Sequence, residues 1–304
     1  MQTRDNILEP AEEPVAERDG RVLARIRRDS ISPDGVRLVT MEVVLPRIVL
    51  AEFNTHRVFS RNSASSRAIP IEKMLRRIKE DPYIPTTWGK NRSGMQATEA
   101  LGPEDQAAAR TVWLEARDSA VAHVEALLAV GVHKQTTNRL LEPFMWHTVI
   151  VTATEWDNFF HLRAHRAAHP AIRRTAEAMA EVLEQSVPRR VAWGGWHQPY
   201  IYREDAKEAE KRGLRSLDLA KISCARCARV SYLTHDGRRD LDEDLALHDR
   251  LLAPGHMSPF EHAAACRHLR TKRSNFRPPW SQYRKVIPYE HDVHADPDRA
   301  QEEL

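Results

Sequence analysis

Long apolar runs are missing from this chain: no stretch of its 304 residues approaches the ~20 needed to cross a bilayer, and the start lacks a signal peptide's apolar core. Cysteine is scarce. Cys224, Cys227 and Cys266 are an odd number, which argues against a disulfide framework and fits a reducing cytoplasm. An excess of one charge is missing too. Forty-six basic against forty-three acidic side chains give a net charge of +3, too little for a global field toward nucleic acid or membrane. Internal repeats and low-complexity segments are absent. These absences leave a soluble, cytoplasmic, globular protein, long enough to bury a sizeable core.

Residues 1–20 and 291–304 are polar and charged and read as disordered tails, leaving 21–290 as a single folded domain. Val36 to Val49 is β-branched and apolar and predicts a strand, and Glu72 to Lys79 predicts a short helix that ends before the Asp81-Pro82 and Ile84-Pro85 pairs. Trp88 to Ala97 reads as a loop. Pro103 to Val130 predicts a long amphipathic helix, started by proline and two acids and stopped by Gly131. Phe144 to Thr152 predicts a strand. Further helices are expected over Trp156 to Ala168, Ala171 to Gln185, Leu217 to Tyr232 and Leu241 to Leu252, with a turn at Gly194-Gly195-Trp196.

The chemistry concentrates between Thr55 and Arg67, which reads Thr-His-Arg-Val-Phe-Ser-Arg-Asn-Ser-Ala-Ser-Ser-Arg. Guanidinium forks and hydroxyls gathered this closely can hold a phosphate or nucleotide. The plain alternative is a basic, serine-rich surface turn. His56 and Arg57, followed after seven residues by Ser65, resemble the Arg-His-Arg signature of the flavin-dependent thymidylate synthases, the ThyX family; Thr55 takes the first position, where the family has Arg. Gly255-His256-Met257-Ser258-Pro259-Phe260-Glu261-His262 resembles a second family segment, which normally precedes the signature by roughly two dozen residues and here follows it by about two hundred. Ala228 to Tyr232 and Leu241 to Leu252 resemble the family's amino-terminal region. The order is rotated, as in a circularly permuted relative, an arrangement open to folds whose termini lie close together. Asn138-Arg139-Leu140-Leu141-Glu142-Pro143 and Asn158-Phe159-Phe160-His161-Leu162-Arg163-Ala164 resemble two further family stretches.

Other constellations compete with this reading. His161, His165 and His169 fall four residues apart, which on one helix makes a metal-binding face, although a partly exposed histidine face explains them as well. Cys224 and Cys227 have redox or metal spacing but no partner pair, so buried structural cysteines are the plainer account. Ser65 lacks a nucleophile elbow or a Ser-His-Asp order, which leaves it as a donor to an anion. Between Glu261 and Glu290, Arg267, Arg270, Lys272, Arg273, Arg277, Arg284 and Lys285 occur without an acid and interleave with Phe276, Trp280 and Tyr283. Such a stretch can stack and hold single-stranded nucleic acid. It can equally be a solvated basic surface or serve the phosphates of a flavin dinucleotide or a folate tail, and the last fits its closeness to His256.

The resemblance implies an α+β fold of ThyX type, an antiparallel sheet flanked by long helices. It implies transfer of a one-carbon unit from methylenetetrahydrofolate to carbon 5 of dUMP, with FAD as the redox cofactor and NADPH as the reductant. Arg163 would act at the uracil edge, and Glu52, Ser63, Ser65, Ser66, Arg67 and Arg139 would join it around the nucleotide. Thr55, His56, Arg57, Asn158, His256 and Ser258 would surround FAD. The sites would be shared among the chains of a homotetramer. Departures bear on the substrate: Glu52 stands where the family has Gln, Ser63 where it has Glu, Ala167 where a flavin-facing His is common, and Thr152 and Thr154 where Asn and Arg are typical. A carboxylate at Glu52 can accept a ribose 2′-hydroxyl, so a UMP methylase of nucleoside-antibiotic type is the alternative. A flavin-free protein that binds nucleotide or nucleic acid without catalysis is the alternative of another class.

Overall fold

A computed structural model describes residues 13–94, 96, 97, 99–230, 240–268 and 274–287. Three consecutive strands, β1 (Val15–Arg18), β2 (Arg21–Ile31) and β3 (Arg37–Pro46), form an antiparallel meander. Val39, Met41 and Val43 of β3 send their side chains into the core, the period of two expected of a strand. β3 continues through a 3-10 turn into the short helix α1 (Leu50–Asn54), which leads to strand β4 (Ser60–Ser63). Helices α2 (Ile71–Glu80), α3 (Pro103–Ala129) and α4 (Lys134–Leu140) follow, before strand β5 (Trp146–Ala153) inserts between β3 and β4. The sheet order is β1-β2-β3-β5-β4, and the two-residue strand β6 (Arg189–Arg190) adds a parallel pairing to β2.

Helix α5 (Asp157–Arg163) and helix α6 (Pro170–Gln185) come next. α6 buries Ile172, Ala176, Met179 and Val182 against Ile26, Met41 and Val151 of the sheet, forming the main core. Each of the Ile, Met and Val side chains, removed from water, stabilises the fold by roughly 1.5–3 kcal/mol before the entropy of ordering it is counted. Strand β7 (Trp196–His197) then pairs with β8 (Ala264–Cys266), which pairs with β9 (Trp280–Gln282), in a second sheet. Between β7 and β8 run α7 (Arg203–Lys211), α8 (Ser216–Ala228) and α9 (Leu241–Leu252). Their core gathers Trp196, Cys224, Leu251, Phe260 and Tyr283.

The two sheets meet along a buried polar seam. Thr40 Oγ1 lies 2.7 Å from Thr152 Oγ1 and 2.8 Å from His197 Nε2; His197 Nδ1 reaches Ser30 Oγ at 2.9 Å, and Thr152 Oγ1 reaches His262 Nδ1 at 2.8 Å. Behind the second sheet, Arg226 of α8 bonds Asp205 and Asp244, all three side chains buried, which holds α7, α8 and α9 together. Removing Arg226 would take the ion-pair partner from the buried Asp205 carboxylate, while Asp244 would keep its pair with Arg229 at 2.8 Å.

Several expectations need correction. The amino-terminal tail does not extend through residue 20: β1 begins at Val15, because the Glu13 carboxylate is buried and bonded to Arg27 and Tyr202. Residues 1–12 and 291–304 lie outside the described residues. β2 was not expected, since its four arginines mask the alternation that buries Leu23, Ala24 and Ile26. The helix expected over Trp156 to Ala168 stops at Arg163, so His161, His165 and His169 do not share one helical face. Instead His169 Nδ1 accepts from the backbone N–H of Ala171 and starts α6. α3 is less amphipathic than its sequence implies, burying only Val121 and Val124 fully. Phe276, Trp280 and Tyr283 are core residues and not stacking platforms, since the segment turns them inward against Leu38 and Phe260. Of its basic groups, Arg277 pairs with Glu155 and Arg284 with Glu261, acids supplied from elsewhere in the chain; Arg270, Lys272 and Arg273 fall outside the described residues. Cys224 and Cys227 are buried in α8, and burial pushes both thiols well up from their ordinary value.

Burial pushes His147 down to about 4 and His262 down to about 3 from the ordinary 6.5, and His197 well below it. The folded state therefore holds these rings neutral, while the unfolded chain takes up protons below 6.5. Stability is fully present above that pH and is lost as pH falls through 6.5 toward 4 and then 3. Urea unfolding across this range should show that decline, with a smaller slope between 6.5 and 4 in His147→Gln.

Candidate functional site

The segment from Glu52 to Arg67 is shaped from below by an aromatic cluster. Phe53 packs edge-on against Phe159 at 5.5 Å, Phe59 lies 5.1 Å from the same ring, and His56 meets Phe159 edge-on at 4.9 Å. Arg61 closes the turn: its Nη1 donates to the carbonyls of Asn54 at 2.8 Å, His56 at 3.2 Å and Phe53 at 3.4 Å, adding to the backbone bonds that the Phe53 and His56 carbonyls accept from the N–H groups of His56 and Phe59. Sequence reasoning passed over Arg61 because nothing in the spacing showed it folding back on α1.

On this base Arg163, in the last turn of α5, meets the signature segment with all three of its nitrogens. Nε donates to His56 Nε2 at 3.0 Å, Nη2 to Thr55 Oγ1 at 3.2 Å, and Nη1 to Glu52 Oε2 at 3.4 Å. His56 can accept this bond only as the neutral ring with its proton on Nδ1. Its pKa is held down by burial and by the neighbouring Arg163 and Arg61 guanidinium groups, which keeps that form.

A second group of expected residues, Ser65 and Arg67 from the signature with His256 and Ser258 from the distant second segment, lines a cleft of about 450 Å³, to which Asn62, His133 and Gln135 add without having been expected there. That volume falls in the range of pockets that hold a drug-sized ligand, roughly 300–1,000 Å³. Asn62 explains why the segments meet. Its amide donates to the Cys227 carbonyl at 2.8 Å and its Oδ1 accepts from Ser258 Oγ at 3.2 Å, tying β4 to α8 and to the 3-10 turn Ser258–Glu261. Its signal in the sequence was only its place in the serine-rich stretch.

Ser66 and Arg139 sit apart from the cleft. Ser66 Oγ donates to Glu142 Oε1 at 2.7 Å, and the same carboxylate draws Arg47 at 3.3 Å and Arg139 at 3.8 Å. Glu142 thus occupies with its own carboxylate a cluster expected to receive a substrate anion. Arg57 and Asn158 are exposed and Ser63 ends β4, while Arg163 is not among the residues lining the cleft. Within one chain the expected residues therefore divide into an arginine cluster, a cleft and a carboxylate-filled cluster. Thr152 stands in the buried seam, and Thr154 Oγ1 accepts from the backbone N–H of Arg277. His161, His165 and His169 form no metal cluster among the described residues.

This sheet, with the signature segment folded beside it, carries the imprint of one family. Residues 12–189 match the family model of the thymidylate synthase complementing proteins, and the chain belongs to that family. Among curated proteins it is similar to the flavin-dependent thymidylate synthases of two strains of Thermus thermophilus, at 26% and 27% identity over 196 residues, or 63% of this chain and 68% of theirs. Among solved structures it is similar to the UMP/dUMP methylase PolB of Streptomyces cacaoi. The form bound with 5-Br dUMP shares 20% identity at TM-score 0.40, covering 49% of this chain and 67% of that one. The form bound with 5-Br UMP shares 18% at TM-score 0.41, covering 49% and 70%. The segment at 255–262 lies beyond the residues matched by the family model.

Asn62→Ala removes both ties between β4 and the second segment. We expect a loss of about 1–3 kcal/mol, the range for a buried polar partner left unsatisfied. Amide exchange at residues 258–262 should accelerate more than that at β3, and unchanged protection there would show that Asn62 does not hold the segment.

Proposed function

We propose that this protein catalyses flavin-dependent methylation of carbon 5 of a uridine monophosphate nucleotide, with dUMP as the family's usual substrate and methylenetetrahydrofolate as the one-carbon donor. The observation that carries this reading is the cleft in which Ser65 and Arg67 stand beside His256 and Ser258, nearly two hundred residues away in the sequence. Chance resemblance gives no reason for two separate family segments to converge. The same convergence supports a circularly permuted order, since the rotated segment occupies one site with the signature.

Each group has a chemical task. Arg67 and Ser65 offer charge-assisted and hydroxyl bonds to the nucleotide phosphate. Arg163 meets the uracil edge and stabilises negative charge that develops on the ring. FAD fits the donor chemistry at hand: the neutral imidazole of His56 and the exposed Arg57, Asn158 and His256 carry nitrogen donors suited to phosphates and ring edges, while the Thr55 and Ser258 hydroxyls spend their protons on the Glu52 carbonyl and on Asn62 Oδ1. When bound, the flavin supplies the hydride chemistry, and NADPH replenishes it. A single 450 Å³ cleft is too small for a nucleotide together with a flavin dinucleotide, and Arg163 lies outside it. Both facts support a site completed by other copies of the chain in a homotetramer, where Arg139 reaches the nucleotide of a neighbour.

Purified protein should be yellow, absorbing at about 450 nm. It should convert dUMP, and Arg163→Ala should lower turnover by roughly 10² to 10³ while flavin stays bound. A colourless protein that still binds UMP or dUMP would instead be a nucleotide-binding relative without the chemistry. Assays with both nucleotides decide the sugar.

A further inference from the structure

We propose that Glu52 is a positioning residue: with Thr55 and His56 it forms a three-acceptor cradle that presets Arg163 before substrate arrives, and it does not contact the sugar. The inference rests on the reading that Arg163 meets the pyrimidine.

Three acceptors within five residues of chain take Nε, Nη1 and Nη2 of one guanidinium, at 3.0, 3.4 and 3.2 Å. Two of the five N–H groups of an arginine then remain for a ring carbonyl or the anion formed from it. The cradle itself cannot drift. Phe53 is locked between Phe59 and Phe159, and Arg61 holds the carbonyls of residues 53, 54 and 56. A side chain as long as arginine otherwise spreads over many rotamers, and that freedom would have to be lost in each catalytic cycle. Glu52 and Thr55 are also two of the positions at which this chain departs from the family pattern. Both side chains contact the same guanidinium.

The role is geometric more than energetic. The Glu52 and Arg163 side chains are 40% and 22% exposed and 3.4 Å apart, so water screens the charge pair and leaves it little net stabilisation. What the carboxylate supplies is an acceptor in a fixed place, and an amide oxygen in that place can do the same.

The test uses the flavin-loaded enzyme with dUMP and UMP as separate substrates. Glu52→Ala should lower kcat by about 10-fold to 100-fold, the scale of a misplaced catalytic group, with KM moved less than about threefold and with equal loss on both nucleotides. Glu52→Gln should recover kcat to within about threefold of wild type. Independently of activity, the Arg163 Nε–H resonance should exchange slowly in wild type and Glu52→Gln and broaden in Glu52→Ala. A loss confined to UMP would make Glu52 a sugar contact and overturn the cradle, as would full activity in Glu52→Ala or failure of Glu52→Gln to recover it. If Arg163→Ala keeps full turnover while the resonance behaves as expected, the cradle stands and the assignment of Arg163 to the pyrimidine fails.

Discussion

The chain of hydroxyls and imidazoles from Ser30 through His197, Thr40 and Thr152 to His262 is the interaction on which this architecture turns. Its members come from β2, β3, β5, β7 and the last residue of the second segment, so it fixes one sheet against the other. Every bond in it is buried, where an unpaired hydroxyl or ring nitrogen carries the full cost of lost hydration. Apolar packing alone would let the two cores slide; a directional chain does not. Because His262 ends the 255–262 segment, the position of His256 and Ser258 beside β4 follows from this seam together with Asn62.

A second constraint operates at the signature segment. Helix α1 has only five residues, too short to be stable from its own hydrogen bonds, and Arg61 and the phenylalanine cluster hold it. A rigid base of this kind lets a short segment aim Glu52, Thr55 and His56 at one guanidinium. The aim depends on His56 staying neutral, which burial and two adjacent arginines ensure.

Carboxylates recur where anions were expected to bind. Glu142 gathers Ser66, Arg47 and Arg139, and Glu52 gathers Arg163. In each case an arginine expected at the site is held by an internal acid. The charge of each guanidinium is thereby partly balanced within the chain.

The sequence by itself determined the family, the helices over 71–80, 103–129, 170–185 and 241–252 within a few residues, and the signature segment, because helical periodicity, prolines and closely spaced reactive side chains are local properties of a chain. It could not reveal β2, whose arginines hide its alternation, nor the fates of Phe276, Trp280 and Tyr283, whose burial depends on strands far away. Nor could it separate Arg163 from the cleft, or show Glu142 and Arg61 reaching back across the fold. Those facts are distances between residues remote in the chain. Only the packing of two sheets, joined by a few buried polar bonds, sets them.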